Sequence, residues 1–334
     1  MVEVKELPGV AIIGCGLIGR KRALSLEGAR VAVCADLQEE RARRLAAESG
    51  APLAFDDWRE AVMHPSVQIV VVSTINDSLA EITLAAVQAG KHVLVEKPAG
   101  RSVRELVPVV DAAEKNKVKV RVGFNHRYHP ALLKAREWVE SGVVGELMFV
   151  RGRYGHGARV GYDREWRMDP QVSGGGELID QGVHLIDLSR MLLGDFPVID
   201  GLATTLFWDT KADDNAFMTL RTDRGQVAFL HVSCTEWKNL FSFEIYGRIG
   251  KIHVEGLGGS YGVERVTLYK MLPQMGPPDM QSLEFPQGDE SWKVEFREFL
   301  RDIREDRAVS PGIRDAVEAL KVVESITEQS KKGN

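Results

Sequence analysis

The sequence predicts an α/β protein built from a doubly wound parallel domain followed by an α+β domain with a mainly antiparallel sheet. Three observations predict it. The chain has 334 residues, room for about two domains at roughly 100–200 residues each. Its first third alternates short β-branched runs with amphipathic segments of about 10–15 residues, the pattern of βαβ units. After residue 145 the pattern becomes a series of strand-like segments separated by glycine-containing turns.

The elements follow in order. Residues 10–14 are apolar and end in glycine, 20–27 have helical periodicity, 31–35 form a strand and 38–49 a charged helix. Residues 69–73 are almost wholly β-branched, as befits a strand buried on both faces. Helix 82–89, strand 91–95, helix 102–116 and strand 119–124 complete the first domain. In the second, strands are expected at 147–154, 203–207, 216–221, 227–233, 241–246, 251–255 and 265–269, interrupted by one helix over 176–193. The proline-rich stretch 271–288 reads as loop, and 292–306 and 314–330 return to helical spacing. We place the domains at 1–127 and 128–291, with the helices of 292–334 packing back near the first.

Composition narrows the function classes. Lys and Arg total 43 against 48 Asp and Glu, a formal charge of −5, and no basic block stands out. A nucleic-acid backbone or an anionic membrane is not the expected partner. No apolar run approaches the roughly 20 residues of a membrane span, and residues 1–8 lack a signal-peptide pattern. Cys15, Cys34 and Cys234 form no CxxC pair and read as reduced thiols in a cytoplasmic protein.

The first motif with chemistry is Gly14-Cys-Gly16-Leu17-Ile18-Gly19, between a strand and a helix. Gly14 suits a tight turn, Gly16 lets a pyrophosphate approach the backbone, and Gly19 lets the helix pack on the strand. The helix N-terminus then offers free N–H groups to the phosphates. Asp36 ends the second strand, where a carboxylate binds both ribose hydroxyls of an adenosine and repels a 2′-phosphate. NAD is therefore expected over NADP, although Arg41, Arg43 and Arg44 lie on the next helix.

Glu96-Lys97-Pro98 follows the strand at 91–95, and ligands of open α/β sheets bind beyond the carboxyl ends of strands. An ammonium there can hydrogen-bond a substrate hydroxyl and stabilise the developing alkoxide. Farther on, Asp180, His184 and Asp187 stand at i, i+4 and i+7, one face of a regular helix. A carboxylate beside an imidazole orients the ring and raises its pKa, which suits a general base near neutral pH. A buried histidine satisfied by its helix neighbours is the alternative. No second histidine or cysteine stands at metal-ligand spacing, so no metal is expected.

These motifs, with Gly123-Phe-Asn125-x-Arg127 and Gly-Gly-Gly-x-Leu-x-Asp180-x-x-x-His184, occur in the order seen in the glucose–fructose oxidoreductase/inositol dehydrogenase/rhizopine catabolism (Gfo/Idh/MocA) family. The chain resembles that family over nearly its whole length. The resemblance implies an N-terminal Rossmann domain, a C-terminal domain with a large open sheet, and NAD(P)-dependent oxidation of a sugar, sugar nucleotide, sugar acid or cyclitol. It implies that Lys97 is the catalytic lysine, that His184 transfers the proton with Asp180 as its partner, and that Asn125 and Arg127 line the nicotinamide and substrate region. Glu96, Thr74 and Asn76 join the expected cofactor contacts. The chain departs from the family's usual Thr-Pro-Asn-x-x-His at 74–79, where Ile75 and Leu79 replace the proline and histidine. Redox-neutral, NAD-dependent glycosidase chemistry and a non-catalytic NAD-binding regulator are the alternatives. Lys97, Asp180 and His184 would be unneeded in the second.

Residues 151–170 hold five arginines with His156, Tyr154, Tyr162 and Trp166. Aromatic rings stack on sugars and arginines bind anions bidentately. We read this stretch as a substrate loop for an anionic, sugar-based ligand such as a sugar nucleotide or a sugar acid, with Arg153, Tyr154, Trp166 and Arg167 as candidate contacts beside Lys97, Arg127, Asp180 and His184; a solvated loop at a domain or subunit edge is the alternative. The apolar strand at 227–232 exceeds what one helical layer would cover, so a homodimer or homotetramer is expected.

Overall fold

The computed structural model describes residues 7–332. The chain forms two compact units, one running to Phe124 and including Trp292–Val317, the other comprising Asn125–Ser291 and the chain from Glu318 onward. The break thus falls at Phe124, and the last helix divides between the units at Val317 instead of returning whole to the first.

The first unit runs β1 (Gly9–Ile13), α1 (Leu17–Leu24), β2 (Arg30–Ala35), α2 (Glu39–Ser49), β3 (Leu53–Phe55), α3 (Trp58–Met63), β4 (Ile69–Val72), α4 (Asn76–Gln88), β5 (His92–Val95), α5 (Val103–Asn116) and β6 (Val120–Val122). Its six strands are all parallel in the order β3-β2-β1-β4-β5-β6, the doubly wound Rossmann order that reverses between β1 and β4. Every residue of β1 and β4 is buried, because helices cover both faces. The short pieces β3 and α3 carry too few apolar residues to show a period, which is why the pattern passed over them.

The second unit begins with α6 (Pro130–Glu140) and β7 (Leu147–Gly155). A short helix α7 (Pro170–Ser173), a π-helical turn at Leu178–Gly182 and α8 (Val183–Leu193) follow. Seven more strands complete it: β8 (Val198–Thr204), β9 (Asn215–Arg221), β10 (Val227–Ser233), β11 (Leu240–Gly247), β12 (Gly250–Glu255), β13 (Glu264–Lys270) and β14 (Asp279–Phe285). The sheet order is β14-β13-β12-β11-β7-β10-β9-β8, with β7 and β10 parallel and every other pair antiparallel. β14 lies within the stretch expected to be loop. It is an edge strand whose residues are mostly exposed, so no alternation marks it. The strand expected at 203–207 instead ends at Thr204. There Asp214 accepts the N–H groups of Leu206, Phe207 and Trp208 and curls the chain into a turn.

Two helices end the chain, α9 (Ser291–Arg304) and α10 (Ile313–Lys332). Phe296, Phe299 and Leu300 of α9 enter the core formed by Val10, Ile12, Ile69, Val71 and Leu94. Burying each such side chain contributes about 1.5–3 kcal/mol. No helix among the described residues is long and apolar enough to cross a membrane. The three cysteines are free thiols, all buried.

Candidate active site

In the first unit the chain leaves β1 through Gly14. Its φ is +88°, and an added Cβ would lie 2.6 Å from the Ser73 carbonyl oxygen, so the position demands glycine. A Cβ on Gly19 would fall 1.9 Å from the Gly14 oxygen, and only its absence lets α1 pack against the strand end. Gly16 differs: nothing lies within 4 Å of where its Cβ would be. That open cradle at the helix N-terminus, with the N–H groups of Leu17 and Ile18 on the first turn, fits a pyrophosphate.

Asp36 follows β2 directly. Its Oδ2 accepts the Cys15 N–H at 2.8 Å and its Oδ1 the Gln38 N–H at 2.9 Å, which fixes the carboxylate beside the loop with lone pairs left for a ribose. A cleft of about 390 Å³ opens here, lined by Cys15, Gly16, Leu17, Arg20, Arg41 and Arg44 among others. Thr74 follows β4 and accepts the Ser78 hydroxyl at 3.0 Å, and Asn76 is buried at the start of α4. Leu79, at the position of the family's usual histidine, is fully buried in the core.

Lys97 is half-buried, just past the end of β5. Its neighbour Glu96 is buried, and both Nε and Nη2 of Arg22 reach Glu96 Oε1, at 2.7 and 2.5 Å. Arg22 also binds Glu295 of α9. Burial raises the Glu295 carboxyl above the usual range even though Arg22 opposes the shift.

In the second unit Asp213, ahead of β9, caps the start of the segment that carries Asp180 and His184. Its carboxylate accepts the N–H groups of Gly176 and Leu178 at 2.9 and 2.7 Å, and its carbonyl accepts that of Glu177. Gly176 is glycine because a Cβ would meet the Asp213 carbonyl oxygen at 1.9 Å. The chain then widens into the π-turn, which holds Asp180, before α8 begins at Val183. The helical segment expected over 176–193 is thus present, with a π-turn at its start. Arg167 Nε lies 3.5 Å from Asp180 Oδ2. Arg127 grips Asp187 with two bonds, at 2.6 and 2.5 Å, both residues being buried. His184 stacks on His126, centroids 3.7 Å apart at 17°.

Tyr154 at the end of β7 meets His184 edge-on at 6.1 Å and packs on His126, Phe241 and Tyr261. Burial, with Tyr261 close by, pushes the Tyr154 phenol well above its usual value and keeps it neutral. His126, Phe241 and Tyr261 escaped the sequence reading. His126 is the unspecified residue between Asn125 and Arg127, and only its stacking on His184 marks it. Asn125 itself donates to the Ser291 hydroxyl at 2.9 Å.

The stretch expected to form a substrate loop divides. Residues to Gly155 belong to β7, where alternate side chains take opposite faces. Tyr154 therefore faces His184, while Arg153 joins Arg151, Phe229, Ser242, Glu244 and His253 on the other face. Arg153 is not brought together with His184, because one step along a strand reverses the face. Beyond β7, Glu177 anchors the arm. It is 1% exposed, accepts the Tyr162 hydroxyl at 3.1 Å and lies 3.5 Å from His156 Nε2. Burial favours the neutral His156 ring, but the Glu177 carboxylate prevails and raises its pKa. Arg167 stacks on Trp166 at 4.6 Å, and Arg159 pairs with Glu165 at 2.5 Å. Several of the loop's arginines are thus paired with local carboxylates. Among the described residues no group of three or more His, Cys, Asp or Glu is arranged to hold a metal.

Known proteins share both halves. Residues 9–124 match the oxidoreductase family with an NAD-binding Rossmann fold, and residues 132–253 match the GFO/IDH/MocA C-terminal domain. The chain is 24% identical to levoglucosan dehydrogenase of Pseudarthrobacter phenanthrenivorans, over 97% of this chain and 96% of that one. It is 31% identical to inositol 2-dehydrogenase 2 of Saccharopolyspora erythraea over 65% of this chain and 63% of the relative. It is 29% identical to D-glucoside 3-dehydrogenase of Escherichia coli over 67% and 69%. Among solved structures, levoglucosan dehydrogenase in complex with NADH and levoglucosan superposes with a TM-score of 0.88 at 24% identity, covering 98% of both chains. An aldose–aldose oxidoreductase from Caulobacter crescentus superposes at 0.85, with 23% identity and 99% coverage of both.

Proposed function

The chain belongs to the GFO/IDH/MocA oxidoreductase family of NAD-binding dehydrogenases, and on that premise we propose that it oxidises a ring secondary alcohol of a neutral sugar or cyclitol, or runs the reverse reduction. The observation that carries this reading is the setting of His184, a buried imidazole flanked by the rings of His126 and Tyr154 on the turn after Asp180. Aromatic faces suit the C–H faces of a sugar ring, and an oriented imidazole suits proton removal from a hydroxyl. Free sugars and cyclitols are favoured over sugar nucleotides and sugar acids, because Arg159 and Arg167 already face Glu165 and Asp180. The names of the relatives, which concern levoglucosan, inositol and D-glucosides, support the same class.

Bound NAD supplies the hydride acceptor, its nicotinamide ring. Leu17 and Ile18 would hold its pyrophosphate by their N–H groups, and Asp36 would take the adenosine ribose hydroxyls. His184 accepts the hydroxyl proton, and Lys97 donates a hydrogen bond to the oxygen as charge develops on it. Asp180 steadies the imidazolium that forms. Tyr154 and Trp166 form the ring-binding surface, with Arg167 holding Asp180. Arg127 acts indirectly, its guanidinium being engaged by Asp187.

The test is NADH formation with a panel of levoglucosan, inositol and simple D-glucosides. Lys97→Ala and His184→Ala should each lower turnover by about 10²–10⁴-fold, the range of general acid–base assistance, while NADH binding followed by fluorescence stays near wild type. Near-normal turnover in both variants would remove the assignment.

A further inference from the structure

We propose that Arg22 is a positioning residue that locks the turn carrying Lys97 to the helix carrying the cofactor's phosphate site. The inference rests on the reading of Lys97 as catalytic, but the lock itself is visible without it.

α1 begins at the phosphate cradle, and Arg22 stands in its last turn. The side chain is 2% exposed, so its charge must be met inside the protein. It is met on two sides, by Glu96 and by Glu295 of α9, and its guanidinium lies 4.3 Å from the centre of the Trp292 ring. A planar guanidinium can satisfy two carboxylates at once; an ammonium cannot reproduce that geometry.

Glu96 is where this clamp meets the chemistry. Its N–H donates to the Val72 carbonyl at 2.9 Å and its own carbonyl accepts the Ala99 N–H at 2.9 Å, closing a tight turn around Lys97. Ala99 holds a φ of +71°, a left-handed conformation that costs a residue with a Cβ about 1–2 kcal/mol. Such a turn persists only where its surroundings over-determine it. Beneath it, Gly123 leaves the room the ion pair needs. A Cβ there would lie 2.5 Å from Arg22 Nη2 and 3.1 Å from both Glu96 carboxylate oxygens. The glycine of Gly123-Phe-Asn125 therefore serves the clamp, and one rigid assembly links phosphate site, lysine turn and α9.

Hydrogen exchange of the NADH-bound protein, read by mass spectrometry, tests this locally. Arg22→Gln should speed exchange over residues 94–101 about tenfold, while Ile69–Val72 keeps its wild-type protection. Turnover should fall by about 10–100-fold, as expected for a reactive group misplaced by roughly 1 Å, with NADH affinity within about threefold of wild type. Arg22→Lys should recover part of both losses. Gly123→Ala, which keeps every charge but crowds the guanidinium, should reproduce the local signature if Arg22→Gln does not fold. Unchanged exchange at 94–101, or acceleration spread evenly over residues 9–124, would overturn the proposal. Loss of turnover in Lys97→Ala tests the functional reading separately, since the exchange signature of Arg22 does not depend on it.

Discussion

At the scale of single residues, the cofactor side of the site follows from backbone constraints that act over a few positions. Spacing distinguishes Gly14, Gly16 and Gly19, and an added Cβ meets a different fate at each: a backbone clash at positive φ, open space, and a clash with the end of the strand. Asp36 was legible for the same reason, because it needs only to end the strand beside the loop. Its carboxylate is pinned beside the glycine loop by two backbone donors, and we propose that it occupies the place a 2′-phosphate would take. Asp36→Ala should cut the ratio of NADPH to NADH dissociation constants by about ten- to a hundredfold, equivalent to roughly 1–3 kcal/mol. Arg41 and Arg44 on the wall of the adjoining cleft would then face the phosphate unopposed by Asp36. A ratio that stays the same by fluorescence titration would show that Asp36 does not set the preference. Arg153 and Tyr154 show where residue-level reading stopped. Both types suit a sugar, but which one faces His184 depends on the register of β7, set by strands β10 and β11 far along the chain.

At the scale of elements, the segment from Gly176 to Leu193 was recognised as helical from its apolar spacing, but its first part is a π-turn. Nothing in the local pattern announces that turn. Its start is fixed from far along the chain by Asp213, whose carboxylate and carbonyl take three N–H groups at the head of the segment. Burial lifts the Asp213 carboxyl to about 6, against the pull of the Leu178 and Gly176 donors. The sign of the consequence follows from linkage. A carboxyl whose folded pKa exceeds its unfolded value of 3.8 contributes stability that is full below 3.8 and is lost as the pH rises through about 6. The ceiling on that loss is about 3 kcal/mol. Asp213→Asn should lower stability at pH 4 by about 1–3 kcal/mol through the misaligned donors, and its stability should fall less than that of the wild type between pH 4 and pH 7. Parallel denaturant titrations at the two pH values check this. Equal pH slopes in the two proteins would mean that Asp213 is already ionised at pH 4.

At the scale of the whole molecule, the sheet of the second unit raises the question of what covers its second face. Helix α8 packs on β7 and β10, with Leu185 close against Gly152. The alternate residues of those strands, including Arg151, Arg153 and Phe229, point the other way. Phe229 is 52% exposed, and its β9 neighbour Phe217, 39% exposed, stacks on His231 at 4.4 Å. Phe149 stacks on Tyr246 at 4.2 Å. Between these rings, Glu244 is held at about 2 against the effect of burial by Lys251, Tyr246 and Arg151, so a fixed charge pattern runs through an aromatic surface. Rings set around ordered charges are the composition of an interface core and its rim, not of a face meant for water. We expect a second copy of the chain to cover it, giving a dimer, or a tetramer if two such pairs join. Light scattering should report an even multiple of 37.0 kDa at micromolar concentration. Phe229→Arg, which places a charge at the middle of that surface without touching the glycine loop, should shift the mass toward the single chain and leave NADH binding intact. A wild-type protein that scatters as a single chain at these concentrations would show that the exposed rings serve another partner.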